Sequence, residues 1–153
     1  MRTLVVEDLD WQRRRLNSSL QKAGIEVDLA QDSAEGLQLS RESRYDAVIV
    51  DLGLDDLPNE PTVGLDLVKK LRQEMHDLPI LIWSGFNDWE TRLESHRAGA
   101  DAYVTKSSDM TKLVATLFSI INWTNDEKYQ STSGETDKNC ICLLYTSPSP
   151  RDS

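Results

Sequence analysis

The chain has 153 residues, of which 39% are hydrophobic and 28% charged, and this composition suits one globular domain with a single core. Its 17 basic and 26 acidic residues give a formal net charge of −9, which argues against direct binding to nucleic acid or to an anionic membrane surface. The chain has no leader-like segment and no apolar run long enough to span a bilayer, so we expect a cytoplasmic protein.

Five short aliphatic or β-branched runs alternate along the chain with segments of helical spacing. The predicted strands are TLVV at 3–6, VDLA at 27–30, AVIV at 47–50, ILIW at 80–83 and AYVT at 102–105. The fourth helical segment has the thinnest stripe, formed by Leu93, His96 and Arg97. This alternation predicts an α/β fold of the (βα)5 type, with a parallel sheet covered on both faces through right-handed crossovers.

Residues that end or begin helices stand where this pattern requires them. Gly24 and Gly99 are placed to end the first and fourth helices, and Asp32 is placed to cap the start of the second. Pro79 directly precedes the fourth strand, where it separates that strand from the third helix. These signals support the predicted order of strands and helices.

Residues at the carboxyl ends of four predicted strands make up a chemical set of three acids, one hydroxyl and one lysine, with a glycine beside the hydroxyl. In chain order these residues are Glu7 and Asp8, Asp51, Ser84 and Gly85, and Lys106. Ligands of open α/β sheets bind at the carboxyl ends of the strands, so we expect this set to converge at one edge. Three crowded carboxylates would raise one another's pKa unless a cation shares them, and a hard divalent ion is the natural occupant. The sequence therefore predicts a Mg²⁺ site.

A metal ion beside a carboxylate, with a lysine and a hydroxyl opposite, suits phosphoryl transfer. Asp51 can act as a nucleophile and form an aspartyl phosphate, and it needs no general base because carboxylates are ionised at neutral pH. The metal and Lys106 would neutralise charge on the phosphoryl oxygens. The Ser84 hydroxyl and nearby backbone amides would donate hydrogen bonds to them.

Four separated motifs resemble the receiver domain of two-component response regulators. They are LVVEDLD, DAVIVDLGL, PILIWSG and GADAYVTK, and the resemblance covers residues 1–123. It implies a flavodoxin-like three-layer sandwich with strand order 2-1-3-4-5. It also implies a phosphorylation-activated switch whose phosphoryl donor is a histidine kinase or a histidine phosphotransfer protein. The face formed by helix 4, strand 5 and helix 5 would then form a homodimer or bind a partner.

The resemblance also assigns the metal ligands and the phosphoacceptor. Asp51 matches the phosphoacceptor, and Asp8 and Asp51 match direct Mg²⁺ ligands. Glu7 is expected to act partly through water, and Gly53 to lend its backbone carbonyl to the metal.

A second group matches the phosphate-binding and switch positions of the family. Ser84 corresponds to the switch hydroxyl, with Gly85 beside it, and Lys106 corresponds to the lysine that pairs with the phosphate. Tyr103 corresponds to the aromatic residue that changes rotamer as the hydroxyl moves.

The chain departs from the family pattern in two loops. The segment LGLDDLPNEPTVG, which follows Asp51, is longer than the usual turn before the glycine matched by Gly64. Lys106 is followed by Ser107, where the family commonly has proline, often in a cis peptide. A cis bond before a residue other than proline costs about 2.5–4 kcal/mol, so we predict a trans peptide here.

Two other features have two interpretations each. Trp83 is bulky for a position beside the switch hydroxyl, and it either packs against a flanking helix or has a regulatory role. The run Arg13-Arg14-Arg15 is either a solvated face of the first helix or a docking patch for an acidic partner.

Two alternative functions compete with the signalling interpretation. Phosphatases with an aspartate nucleophile also pass through an aspartyl phosphate, but they resemble one another in a second aspartate two residues after the nucleophile. Here that position is Gly53, so we expect a signalling domain rather than an enzyme. A protein-interaction scaffold that is never phosphorylated is disfavoured because every reacting position is filled.

The end of the chain differs in character from the rest. Residues 124–141 lack periodic apolar residues and are predicted to form a polar linker or a disordered tail. Residues 142–153, which include CLLYTSPSPRD, resemble translated sequencing-adapter DNA. If so, the natural chain was cut near residue 141, where a receiver often leads through a linker to an output domain.

Overall fold

The computed structural model describes residues 1–54, 61–107 and 109–129, with side chains up to residue 122. The strands are β1 Arg2–Val6, β2 Glu26–Ala30, β3 Ala47–Val50, β4 Ile80–Ser84 and β5 Ala102–Thr105. The helices are α1 Asp10–Lys22, α2 Ser33–Glu42, α3 Thr62–Glu74, α4 Trp89–Ala98 and α5 Thr111–Tyr129. Each predicted strand is confirmed to within one residue at either end. None of the helices in the described ranges is long and apolar enough to cross a membrane.

The five strands form one parallel sheet in the order β2-β1-β3-β4-β5, which confirms the predicted topology. β1 is paired with β2 on one side and with β3 on the other. The chain therefore changes direction across the sheet at β1, and a crevice opens between the carboxyl ends of β1 and β3. Glu7, Asp8 and Asp51 follow these two strands, so the topology places the predicted acids at the crevice.

Apolar side chains from both faces of the sheet form two core clusters, as a three-layer sandwich requires. In β1, Leu4 and Val6 belong to the cluster covered by α2 and α3, whereas Val5 belongs to the cluster covered by α1 and α5. This division follows the two-residue period of a strand. β3 is buried at all four of its positions, because helices cover both faces of the sheet.

The predicted helix-ending glycines are confirmed, whereas the predicted buried stripe of α4 is wrong. Gly24, two residues after the end of α1, and Gly99, directly after α4, have positive φ angles of 83° and 117°, as predicted for residues that end helices. The stripe prediction for α4 is wrong, because the buried residues of this helix are Thr91, Ser95 and Ala98, and Leu93 is 37% exposed. The Ser95 hydroxyl donates to the Thr91 carbonyl at 2.7 Å and the Thr91 hydroxyl donates to Asp88 Oδ2 at 2.7 Å, so both buried hydroxyls are hydrogen-bonded.

The last helix extends past the predicted domain boundary. α5 ends at Tyr129, so residues 124–129 of the predicted linker are helical. The remaining linker and the adapter-like tail lie outside the described residues. The acidic part of the long loop after Asp51, residues 55–60, lies outside them as well.

Candidate functional site

The acids after β1 and β3 meet at the crevice. The Asp51 amide donates to the Val6 carbonyl at 3.0 Å, which continues the β1–β3 ladder one residue past the end of β3. One carboxylate oxygen from each of Glu7, Asp8 and Asp51 lies within 4.8 Å of the others. Glu7 is fully buried and Asp51 is only 5% exposed, so two of the three carboxylates are almost withdrawn from water.

Lys106 supplies the positive charge opposite these acids. Its Nζ lies 3.3 Å from Glu7 Oε1 and 3.3 Å from Asp51 Oδ2. Its backbone amide donates to the Ser84 carbonyl at 2.7 Å, which ties the start of the loop after β5 to the end of β4. The sheet thus brings together residues almost a hundred positions apart, as the rule for the carboxyl ends of parallel strands predicts.

Glu7 carries the strongest electrostatic perturbation at the site. Burial and, next in size, the neighbouring Asp51 carboxylate raise its pKa, and Lys106 lowers it, so that the net pKa is about 9. No donor among the described residues reaches Glu7 Oε2, which is buried. Glu7 therefore holds a proton at neutral pH in the metal-free protein. A cation bound between the acids would take the place of that proton.

A cavity of about 380 Å³ opens over this cluster. Its lining residues are Asp8, Leu9, Gln12, Asp51, Gly53, Gly85, Phe86 and Lys106. The Gly53 amide donates to Asp51 Oδ1 at 3.3 Å, which brings the Gly53 backbone beside the carboxylate. Carboxylates and backbone carbonyls are oxygen ligands, and a water occupies about 30 Å³, so the donors and the space fit a hydrated divalent cation.

Ser84 and Tyr103 form a second group beside the cavity rather than part of its lining. Both are fully buried. Ser84 Oγ accepts from the Phe86 amide at 3.1 Å, and the Tyr103 hydroxyl donates to the Phe86 carbonyl at 2.5 Å. Burial raises the pKa of Tyr103, and a side-chain hydrogen bond with Ser84 opposes this. The loop of Gly85 and Phe86 therefore connects the two side chains to the cavity.

Trp83 packs in the core and also contacts Lys106. Its side chain is 1% exposed and belongs to the core cluster covered by α1 and α5, as the packing interpretation predicts. Lys106 Nζ also lies 4.9 Å from the centre of its ring, close enough for a cation–π contact. The peptide between Lys106 and Ser107 is trans, as predicted, and no peptide bond in the described segments is cis.

Arg13 supports the backbone of the acidic pair, a role that its sequence position did not predict. Its Nη1 donates to the Glu7 carbonyl at 2.7 Å and to the Asp8 carbonyl at 2.8 Å. The Arg13 side chain is 12% exposed, whereas that of Arg14 is 75% exposed, so the solvated-face interpretation is wrong for Arg13. Gln12, another residue not predicted, lines the cavity and is 8% exposed. Both residues occupy the first turn of α1, directly after the acidic pair.

The raised pKa of Glu7 predicts a pH dependence of stability in the metal-free protein. Folded Glu7 keeps its proton up to about pH 9, whereas the unfolded chain releases it near 4.5. The unfolded state binds fewer protons in this window, so the free energy of unfolding should fall as the pH rises through it. Glu7→Gln removes this titration and should not show the fall, which amounts to about 1.4 kcal/mol per pH unit inside the window.

Urea unfolding in EDTA at both ends of this pH window measures the effect. Glu94→Gln, on the exposed face of α4, is the matched control and should keep the wild-type pH dependence. An equal pH dependence in Glu7→Gln and the wild type would contradict the assignment of the proton to Glu7.

The fold and this site together define a class of protein: doubly wound α/β domains with an acidic cluster and a lysine at the strand crossover point. Within that class, the chain belongs to the response regulator receiver domain family, whose family model matches residues 3–118.

Relatives of known sequence agree with this membership. The chain is 36% identical over 121 residues to the two-component response regulator PhoP of Pseudomonas aeruginosa, and the match covers 79% of this chain and 52% of that protein. It is 40% identical over 115 residues to the transcriptional regulatory protein PhoP of Escherichia coli K12, covering 75% and 49%. The chain therefore spans about half the length of the curated relatives that it matches.

Solved structures give the same fold. The response regulator TrrA of Thermotoga maritima, in complex with Mg²⁺-BeF, matches with a TM-score of 0.69 at 29% identity, covering 78% of this chain and 97% of that one. A CheY-like receiver domain protein of Methanospirillum hungatei matches with a TM-score of 0.75 at 24% identity, covering 82% and 97%. The second match supports the fold alone.

Proposed function

We propose that this receiver domain accepts a phosphoryl group on Asp51 and works as a phosphorylation-activated signalling switch. The observation that carries the proposal is the position of Lys106, whose Nζ lies 3.3 Å from Asp51 Oδ2 at the edge of an acidic cavity. A half-buried lysine beside a carboxylate that is open to a cavity provides both a nucleophile and a positive charge for the group transferred to it.

The proposed reaction is a transfer from phosphohistidine to the Asp51 carboxylate. A bond forms between a carboxylate oxygen and phosphorus as the P–N bond breaks. The electron pair of that bond stays on the imidazole nitrogen, which takes up a proton from solvent. Lys106 pairs with the negative phosphoryl oxygens, and the Gly85 segment offers backbone amides to them. The donor is a histidine kinase or a histidine phosphotransfer protein, and family membership supports this choice.

Mg²⁺ is the proposed cofactor. Asp8 and Asp51 would hold it directly, the Gly53 carbonyl would complete the protein ligands, and Glu7 would act through water. When bound, it would neutralise charge among the carboxylates and on the phosphoryl oxygens. The carboxylate oxygens within 4.8 Å of one another support this assignment. A related receiver, TrrA, was solved with Mg²⁺-BeF.

Ser84 and Tyr103 are proposed to transmit the phosphorylated state. In this proposal the Ser84 hydroxyl turns toward the phosphoryl group, and Tyr103 changes its contacts with the Phe86 carbonyl. The response reaches the face of α4, β5 and α5, which then forms a homodimer or binds a partner. The exposed large apolar side chains of α4 are Trp89, which is 70% exposed, and Leu93, which is 37% exposed.

The proposal concerns a signalling domain with residues 1–123 as the receiver. A cytoplasmic location accompanies it, because receiver domains typically act there. The polar segment from residue 124 is proposed to lead toward an output domain in the natural protein. This fits the match to about half the length of the PhoP proteins.

Labelling with a small phosphoryl donor tests the proposed function. The protein incubated with acetyl phosphate and Mg²⁺ should gain one phosphoryl group, stable in acid and labile in base, and EDTA should prevent the gain. Intact mass spectrometry measures the incorporation. Reduction with borohydride followed by peptide mapping locates it, and we expect Asp51. Phosphoryl incorporation that EDTA does not prevent, or that is located on another residue, would contradict the proposal.

A further inference from the structure

Two arginines from different helices contact the chain neighbours of Lys106. Arg15 of α1 donates from Nη2 to the Ser107 carbonyl at 2.6 Å, and Arg92 of α4 donates from Nη2 to the Thr105 hydroxyl at 2.9 Å. The first contact joins residues 92 positions apart in the sequence. Guanidinium groups from α1 and α4 therefore contact the residues on both sides of Lys106.

The segment that carries Lys106 needs such support because it leaves the sheet at this point. β5 ends at Thr105, and the hydrogen bond from the Lys106 amide to the Ser84 carbonyl is the last that joins this strand to β4. The ammonium group lies at the end of a flexible four-carbon stem, so its position depends on how firmly the backbone beneath it is held. A misplacement of about 1 Å at a reacting group can change a rate a hundredfold.

Arg92 connects this segment to the loop on the other side of the cavity. The same Nη2 lies 2.9 Å from Asn87 Oδ1, in the loop between β4 and α4. Its guanidinium carbon is 4.9 Å from the centre of the Tyr103 ring, within the range of a cation–π contact. Arg92 thus holds the end of β5 against the loop that follows Ser84 and Gly85.

We propose that Arg15 and Arg92 form an arginine clamp that positions Lys106 for the bound phosphoryl group. The inference rests on the proposed function and deepens it, because it names the residues that set the geometry of the phosphate-pairing lysine. Both arginines act through the backbone or the neighbour of Lys106, so they are positioning residues. Loss of the clamp should therefore lower the affinity for the phosphoryl group. It should not change the affinity for the metal, which the acids after β1 and β3 bind.

Affinity for beryllofluoride, a phosphoryl analogue, tests the clamp in the full chain. In the presence of Mg²⁺, Arg15→Gln should weaken beryllofluoride binding by about threefold to tenfold, the effect of losing one hydrogen bond of ordinary strength. Its affinity for Mg²⁺ alone and its urea unfolding midpoint should stay at wild-type values. Arg92→Gln, the second variant, should likewise bind beryllofluoride more weakly and keep the wild-type affinity for Mg²⁺.

Arg14→Gln is the matched control for Arg15→Gln. It removes the same charge from the next position of α1, and the Arg14 side chain is 75% exposed and paired with Asp10. Equal beryllofluoride affinities in the Arg14 and Arg15 variants would overturn the clamp, as would a parallel loss of Mg²⁺ affinity in Arg15→Gln. Failure of the wild type itself to bind beryllofluoride would instead overturn the proposed function.

Discussion

Replacing Asp51 with asparagine is expected to reduce phosphoryl incorporation from acetyl phosphate to the background of an unphosphorylated sample. The amide has nearly the same shape, but its oxygen is neutral and far less nucleophilic than a carboxylate oxygen. The change also removes one of the three clustered carboxylates, so Mg²⁺ should bind more weakly. Intact mass after a fixed incubation with Mg²⁺ and acetyl phosphate measures the result.

Loss of labelling in Asp51→Asn should not come from loss of the fold. The change removes a carboxylate that raises the pKa of Glu7, and Lys106 keeps Glu7 as a partner at 3.3 Å. We therefore expect a urea midpoint in EDTA at or above that of the wild type. Asp66→Asn, on the exposed face of α3, is the control and should be labelled like the wild type. Labelling of Asp51→Asn at the wild-type level would refute the assignment of the phosphoacceptor.

The strands and the edge that carries the site follow from local sequence patterns. Runs such as AVIV at 47–50 are short, β-branched and apolar throughout, which is typical of a parallel strand buried on both faces. Once the strands are known, the topology of an open α/β sheet places the residues after them at one edge. Glu7, Asp51 and Lys106 could therefore be predicted as neighbours before any distance was known, and Lys106 lies 3.3 Å from both acids.

The packed face of α4 and the arginine contacts could not be predicted in the same way. A helix with few apolar residues gives no clear periodicity, and α4 buries Thr91 and Ser95 because the neighbouring elements fit small side chains there. Arg13, Arg14 and Arg15 are chemically identical in the sequence. Their roles differ because successive helical positions point about 100° apart, toward the acidic loop, toward solvent and toward Ser107. Contacts of this kind depend on tertiary geometry rather than on spacing.

Substitution of Gly64 by alanine is expected to destabilise the fold and disturb the site together. Gly64 is in the first turn of α3, and its amide donates to the Leu52 carbonyl at 3.2 Å. A Cβ at this position would lie 2.4 Å from the Leu52 Cα and 2.7 Å from the Asp51 carbonyl oxygen. Both are backbone atoms that cannot rotate away, so the helix and the segment after β3 must move apart. We expect a loss of about 1–3 kcal/mol in the free energy of unfolding.

The matched control is Gly85→Ala, because a Cβ at Gly85 meets nothing within 4 Å. Its urea midpoint should stay close to that of the wild type, whereas that of Gly64→Ala should fall. The clash at Gly64 involves the two residues between β3 and Gly53, so the displacement reaches both the Asp51 carboxylate and the backbone beside it. Gly64→Ala should therefore also bind Mg²⁺ more weakly when measured on the folded fraction. Equal stability and equal Mg²⁺ affinity in the two alanine variants would show that α3 does not set the position of the phosphoacceptor loop.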